Sequence, residues 1–151
     1  GWKGEDMGRI SCLTFQEAWR LAAAGLQELK RSGKAANLCL ANRYGQVLVQ
    51  ATMDAARPVT AHFALLKARQ VALSGQRTRW LRDKLAAGEI TLGLFQIPRE
   101  EFMPWAGGVP LYGADGVLLG GMGMSNLDEN EEEAFVIRLV EAAGFLSERP
   151  S

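Results

Sequence analysis

Apolar residues recur at 4-3-4-3 spacing from Phe15 through Trp19, Ala22 and Leu26 to Leu29. That stripe predicts an amphipathic helix with those five residues toward the core. Its start is marked by Thr14-Phe15-Gln16-Glu17, a T-x-x-E capping box in which the threonine oxygen and the glutamate carboxylate satisfy free N–H groups. Its end falls near Gly33. The pattern then shortens. Asn37 to Ala41 and Val47 to Ala51 are short apolar runs joined by Asn42-Arg43-Tyr44-Gly45-Gln46, which predicts a β-hairpin. Pro58 suits the first turn of a second helix, whose core face would carry Ala61, Ala64, Leu65, Ala68 and Ala72.

A third helix is expected from Thr78 to Ala87, stopped by Gly88. Ile90 to Ile97 is a candidate short strand, and Phe102-Met103-Pro104-Trp105 an ordered loop or edge. Val109 to Tyr112 and Val117 to Met124 are two further strands, with Gly113-Ala114-Asp115-Gly116 as the turn between them. The last helix is expected from Asp128 to Leu146. Its run of Asp128, Glu129, Glu131, Glu132 and Glu133 suits the positive end of the helix dipole and reads as a solvated helix start.

The order is thus α-β-β-α-α-β-β-α, with one more strand between the third helix and Val109. Strands joined by tight turns run antiparallel, and the helices flank the hairpins instead of linking parallel strands. The expected class is α+β, an antiparallel sheet of about five strands with helices packed on it. A chain of 151 residues suits one core. We expect a leader or tag remnant at 1–12, one domain at 13–147 and a tail at 148–151.

Charge and composition narrow the function. Lys and Arg (17) balance Asp and Glu (17), which gives nucleic acid or an anionic membrane nothing to attract. A membrane-spanning helix needs about 20 consecutive apolar residues, and the chain has no such run. Cys12 and Cys39 form no C-x-x-C pair and read as reduced thiols of a cytoplasmic protein, although a removed leader stays open.

The usual catalytic signatures are missing. His62 is the single histidine, so one chain cannot build a multi-histidine metal site. Gly121-Met122-Gly123-Met124-Ser125-Asn126 begins as G-x-G but has Asn126 at the third glycine and no β-α-β unit around it, so the nucleotide reading fails. Its glycines, with Gly107 and Gly108, instead imply that a helix, a partner or a flat ligand approaches the backbone closely. On the second helix, His62 and Arg69 fall on one flank, and Phe63, Lys67 and Gln70 on the other. His62 is a half-exposed helix residue or a metal ligand; Lys67 is a snorkelling surface lysine or a cation that meets a carboxylate. Arg57, just before the helix start, adds to an anion seat there.

Three stretches resemble the GlcG/HbpS family, which includes the C-terminal domain of PduO-type proteins. They are Asn42-Arg43-Tyr44-Gly45-Gln46-Val47-Leu48; Met53-Asp54-Ala55-Ala56 with Thr60 and Lys67-Ala68; and Gly107-Gly108-Val109-Pro110-Leu111 with Asp115-Gly116 and Gly120-Gly121-Met122-Gly123-Met124-Ser125. The resemblance implies a five-stranded profilin-like sheet, homodimers or larger homo-oligomers, and a pocket near the start of the second helix and the G-G-x-P segment. Family members are linked to haem binding and degradation, corrinoid and diol metabolism, and glycolate-type operons. Asp54, Thr60, Lys67, Gly107, Gly108, Pro110 and Ser125 carry over as positions. Thr52, Ala55 and Asn126 depart from the family's Arg, Gly and Gly, and His62 stands where the family has no fixed histidine.

Three functions compete. The first is haem or tetrapyrrole binding in a pocket lined by Phe63, Met103, Trp105, Met122 or Met124. There Lys67 or Arg57 would hold a propionate, with Thr60, Gly107, Gly108, Pro110 and Ser125 around it, and His62 or a methionine would ligate iron. The second is a cofactor-independent enzyme for a small carboxylated or oxygenated metabolite. It would use Asp54, Lys67 and His62 as acid–base groups and the Gly107 and Gly108 backbone as donors. The third is an accessory subunit of a catabolic pathway.

Overall fold

The computed structural model describes residues 11–151, so nearly all of the expected leader at 1–12 lies outside the described residues. Helix α1 (Phe15–Arg31) is followed by strands β1 (Asn37–Asn42) and β2 (Val47–Thr52), then helices α2 (Val59–Ser74) and α3 (Thr78–Ala86). Strands β3 (Gly108–Tyr112) and β4 (Leu118–Ser125) and helix α4 (Glu129–Ala142) complete the domain. Among the described residues no helix is long and apolar enough to cross a membrane.

Local chemistry sets the boundaries. The Thr14 capping box forms with both reciprocal hydrogen bonds, Glu17 N–H to Thr14 Oγ1 at 3.1 Å and Thr14 N–H to Glu17 Oε1 at 3.0 Å. Asp128 caps α4 by accepting from the Asn130 and Glu131 amides. Gly75 closes α2 at φ 72°, a left-handed conformation that costs other residues more.

The sheet is antiparallel with spatial order β2-β1-β4-β3. Among the described residues it has four strands where about five were expected. The segment Ile90–Ile97 is not a strand: Leu92–Phe95 and Arg99–Glu101 form two short 3-10 turns.

Alternation along the inner strands divides the core into two unlike layers. Leu38, Leu40, Val109, Leu111, Met122 and Met124 join Leu21, Leu29, Phe135, Val136 and Val140 of α1 and α4 in one apolar cluster. Each such large side chain contributes about 1.5–3 kcal/mol on burial. The opposite face carries Cys39, Ala41, Gly121 and Gly123, and α2 lies on it through Ala64, Ala68 and Ala72. There the glycines are required by distance. A Cβ on Gly121 would stand 2.6 Å from Ala68 O, and one on Gly123 would stand 2.7 Å from Ala68 N. The glycine-rich stretch therefore admits a helix backbone.

Two helix faces differ from the periodicity. In α1 the buried residues are Ala18, Leu21, Ala22, Gly25 and Leu29, while Phe15 and Trp19 stack on each other in solvent with centroids 6.3 Å apart. In α2 the buried set includes Leu66, Lys67, Gln70 and Val71, while Ala61 and Leu65 are only half-buried. Because the close-packed face of α2 must be narrow and small, the helix rolls to place Ala64, Ala68 and Ala72 against the glycines, and Lys67 turns inward.

Candidate functional site

A cleft of about 410 Å³ opens where the end of β4 meets the starts of α2 and α4. Arg57, Val59, Thr60, Phe63 and Lys67 line it from α2 and the turn before it. Ser125 through Glu129, with Glu132, line it from the β4–α4 connection. Trp105, just before β3, forms the remaining wall.

Lys67 and Glu132 form the floor. Lys67 Nζ donates to Glu132 Oε1 and to the Met124 carbonyl, both at 2.9 Å, and each of the two residues is only 1% exposed. The second carboxylate oxygen, Oε2, accepts from the Leu127 amide at 2.9 Å. Burial raises the Glu132 carboxyl above its ordinary value, while the Lys67 charge and the Leu127 N–H pull the other way. Gly107 backs this pair: at φ 125° a Cβ there would stand 3.0 Å from Lys67 Nζ and 2.8 Å from Met124 O. Lys67 thus meets a carboxylate, but that carboxylate belongs to the same chain, and the pair is closed on itself.

The acidic run is not simply a solvated helix start. Glu129 accepts from the Ala106 amide at 2.8 Å and pairs with Arg82 at 3.1 Å. Glu131 pairs with Lys34 and Glu133 with Arg79. Each of these partners comes from outside α4.

Among the described residues, the cleft cation without a carboxylate partner is Arg57. The residue after Ser125 has φ 113°, a conformation glycine favours, and the chain places Asn126 there. Asn126 Oδ1 accepts from both the backbone N–H and the Nε of Arg57, each at 3.0 Å. Asn126 Nδ2 donates to Ala35 O at 2.8 Å, anchoring the amide. Thr60 is buried and donates to the Arg57 carbonyl, while Asn37 donates to Thr60. The guanidinium is held by its Nε edge, and its two terminal nitrogens have no partner among the described residues. The start of α2 has no side-chain cap and no acidic residue in its first turn. The Ser125 hydroxyl, on a residue 5% exposed, also has no hydrogen-bond partner among the described residues.

The aromatic wall is equally constrained. Phe63 meets Trp105 edge to face, with centroids 5.6 Å apart at 70°. Trp105 is 51% exposed yet sits between two fixed points. Buried Gln70 pairs with both backbone groups of Met103, at 2.7 and 2.9 Å, and Glu129 holds the Ala106 amide.

The structure brings together Arg57, Thr60, Phe63, Lys67, Trp105 and Ser125 of the expected site residues. It does not bring in the others. His62 lies on the exposed side of α2, and Asp54 is exposed in the turn after β2, so Asp54, Lys67 and His62 do not converge as an acid–base set. Gly108 donates to Thr78, and Pro110 lies opposite Gly121 inside the sheet. Met122 and Met124 belong to the core beneath β4, and Met103 is buried behind the loop. Asn126, Glu129 and Glu132 are the residues that sequence reasoning missed. Asn126 carried a signal, standing where the resemblance expects glycine; the two glutamates were hidden in a run of acids.

These features define a class: a small α+β domain whose central helix rides on a glycine-lined antiparallel sheet, with a cation-bearing cleft at the end of that sheet. The chain belongs to the HbpS-like family, whose model, described as haem degrading protein HbpS-like, matches residues 13–141. It is 27% identical over 113 residues to protein GlcG of Escherichia coli K12, covering 75% of this chain and 81% of GlcG. Solved structures share the fold. The PduOC–haem complex aligns with TM-score 0.79 at 21% identity, covering 91% of this chain and 99% of that one. A double mutant of Streptomyces reticuli HbpS aligns with TM-score 0.76 at 24% identity, covering 94% of each chain. Klebsiella pneumoniae ORFY aligns with TM-score 0.78 at 19% identity, covering 89% and 92%.

Proposed function

We propose that this domain binds a flat, carboxylate-bearing small molecule of the tetrapyrrole class in the cleft between α2, α4 and Trp105. The observation that carries the reading is the pairing of an aromatic wall, Phe63 and Trp105, with an arginine whose two terminal nitrogens are free. A guanidinium offers parallel N–H donors to a carboxylate, and an aromatic face stacks on a planar ring system. The volume of about 410 Å³ is in the range of small-molecule sites. The family's description as haem degrading, and a structural neighbour solved with haem, support the same class.

The cleft fits one part of haem and not another. Trp105 and Arg57 suit a porphyrin's face and its carboxylates. No histidine, cysteine, methionine or tyrosine lines the cleft among the described residues, so these walls give the iron no customary ligand. Titration with haemin tests the reading. A saturable Soret change and quenching of tryptophan fluorescence are expected, both weakened in Trp105→Ala. The absence of a saturable response at micromolar haemin would refute it.

A further inference from the structure

We infer that the cleft holds its ligand by a carboxylate on the Arg57 guanidinium, positioned by Asn126, and by contact with Trp105, without a bond to a metal. A metal-free carboxylated porphyrin and its iron form therefore bind alike. The inference rests on the tetrapyrrole reading above and adds what the site recognises.

Three observations carry it. Asn126 accepts from both the backbone and the Nε of Arg57, which turns the outer edge of the guanidinium, with both terminal nitrogens, to the cleft. With Nε taken by Asn126, that end-on edge still offers two parallel hydrogen bonds to a carboxylate. Next to it, Ser125, a residue 5% exposed, lines the cleft with a hydroxyl that has no partner among the described residues, and the first turn of α2 has no side-chain cap. Anions are favoured at such a helix start. The carboxylates that line the cleft are already engaged: Glu132 by Lys67 and the Leu127 amide, Glu129 by Arg82 and the Ala106 amide, and Asp128 as the cap of α4.

The metal side of the inference comes from the same lining. His62 is exposed on another face of α2, and Met122 and Met124 are buried in the core below β4. The residue that distinguishes this cleft is Asn126, which at φ 113° does what a glycine in that place cannot: it fixes the arginine.

The test is a set of parallel titrations with haemin, metal-free protoporphyrin IX and protoporphyrin IX dimethyl ester. They use wild type, Arg57→Gln, Asn126→Gly and His62→Ala. Glycine tolerates the backbone of position 126, so Asn126→Gly removes the clamp without strain. The two free acids should bind within about threefold of each other, and the ester about tenfold more weakly. Arg57→Gln and Asn126→Gly should weaken both acids by about tenfold and leave the ester unchanged, while His62→Ala binds as wild type.

The inference is overturned if haemin binds more than about tenfold tighter than the metal-free acid with an iron-ligated spectrum, or if the ester matches the acids. It is equally overturned if Asn126→Gly binds both acids as wild type. Binding of haemin alone overturns this inference and leaves the tetrapyrrole reading standing; binding of none of the three overturns both.

Discussion

Lys67 Nζ lies 2.9 Å from Glu132 Oε1, beneath the cleft, with both residues almost fully withdrawn from water. The pair joins α2 to α4, and Lys67 also holds the penultimate carbonyl of β4, that of Met124. It is a structural floor for the cleft, since every polar atom that meets there is already matched.

Removing one partner should therefore cost far more than removing a surface charge. Lys67→Met leaves a buried carboxylate uncompensated and is expected to lose about 3–5 kcal/mol in urea denaturation. Lys67→Met combined with Glu132→Leu should recover much of that loss, because no charge is left stranded. A Lys67→Met loss below about 1 kcal/mol would show that the pair is not the floor we describe.

The raised carboxyl of Glu132 gives stability a sign with pH. The folded state holds this proton more tightly than the unfolded chain does, so above the ordinary value of 4.5 the native protein binds more protons. Its contribution is complete below that pH and is lost as pH rises through the folded value. Unfolding free energies measured from pH 4 upward should fall more steeply in wild type than in Glu132→Gln. Parallel pH profiles would contradict the assignment.

Contact between α2 and the sheet leaves no room at Gly121. Gly121→Ala should destabilise by about 1–3 kcal/mol, since the new methyl meets the Ala68 carbonyl and the Val71 side chain. Gly93, whose nearest neighbour to an added Cβ is Thr91 Oγ1 at 3.9 Å, is the control, with Gly93→Ala within about 0.5 kcal/mol of wild type. Thermal or urea unfolding of the two variants decides the matter.

Gln70 governs the wall of the cleft from a distance. Gln70→Leu should open the Met103 amide to exchange and cost about 1–3 kcal/mol, because the amide and the carbonyl of Met103 both lose their buried partners. Ligand affinity should fall with it as Trp105 loses one of its two anchors. Retained amide protection at Met103 in hydrogen exchange would rule out the clamp.

The two thiols should separate cleanly. Cys39 is buried on the α2 side of the sheet, and burial pushes its thiol up to about 12, so almost none is thiolate at pH 8. Cys12 is half-buried. A thiol reagent should label Cys12 in the native protein and reach Cys39 only on unfolding. Mass spectrometry of partially labelled protein would show the order.

Much of the architecture is legible because it depends on neighbours in the chain. The capping box at Thr14 closes over three residues, Asp128 caps amides two and three residues on, and Gly45 and Gly116 take the positive φ of their turns. Such bonds form in any context that lets the segment fold, so most element starts and the α+β class follow from the sequence by itself, whereas the last helix ends at Ala142 and not at the expected Leu146. The family could be named from spaced motifs for a related reason: glycines and turns recur wherever backbones must come close.

Tertiary structure alone decided which face of each helix turned inward and which charges met. By hydrophobicity Phe15 and Trp19 belong in the core, yet α1 packs through Gly25, where an added Cβ would lie 3.1 Å from both Leu38 and Leu139. By side-chain type Lys67 belongs at the surface, yet it is buried because Glu132, 65 residues away, neutralises it. Asn126 and Arg57 meet across 69 residues. Partners this far apart are joined by the packing of α2 onto a sheet that offers it no side chains at Gly121 and Gly123, and a one-dimensional pattern does not record that approach.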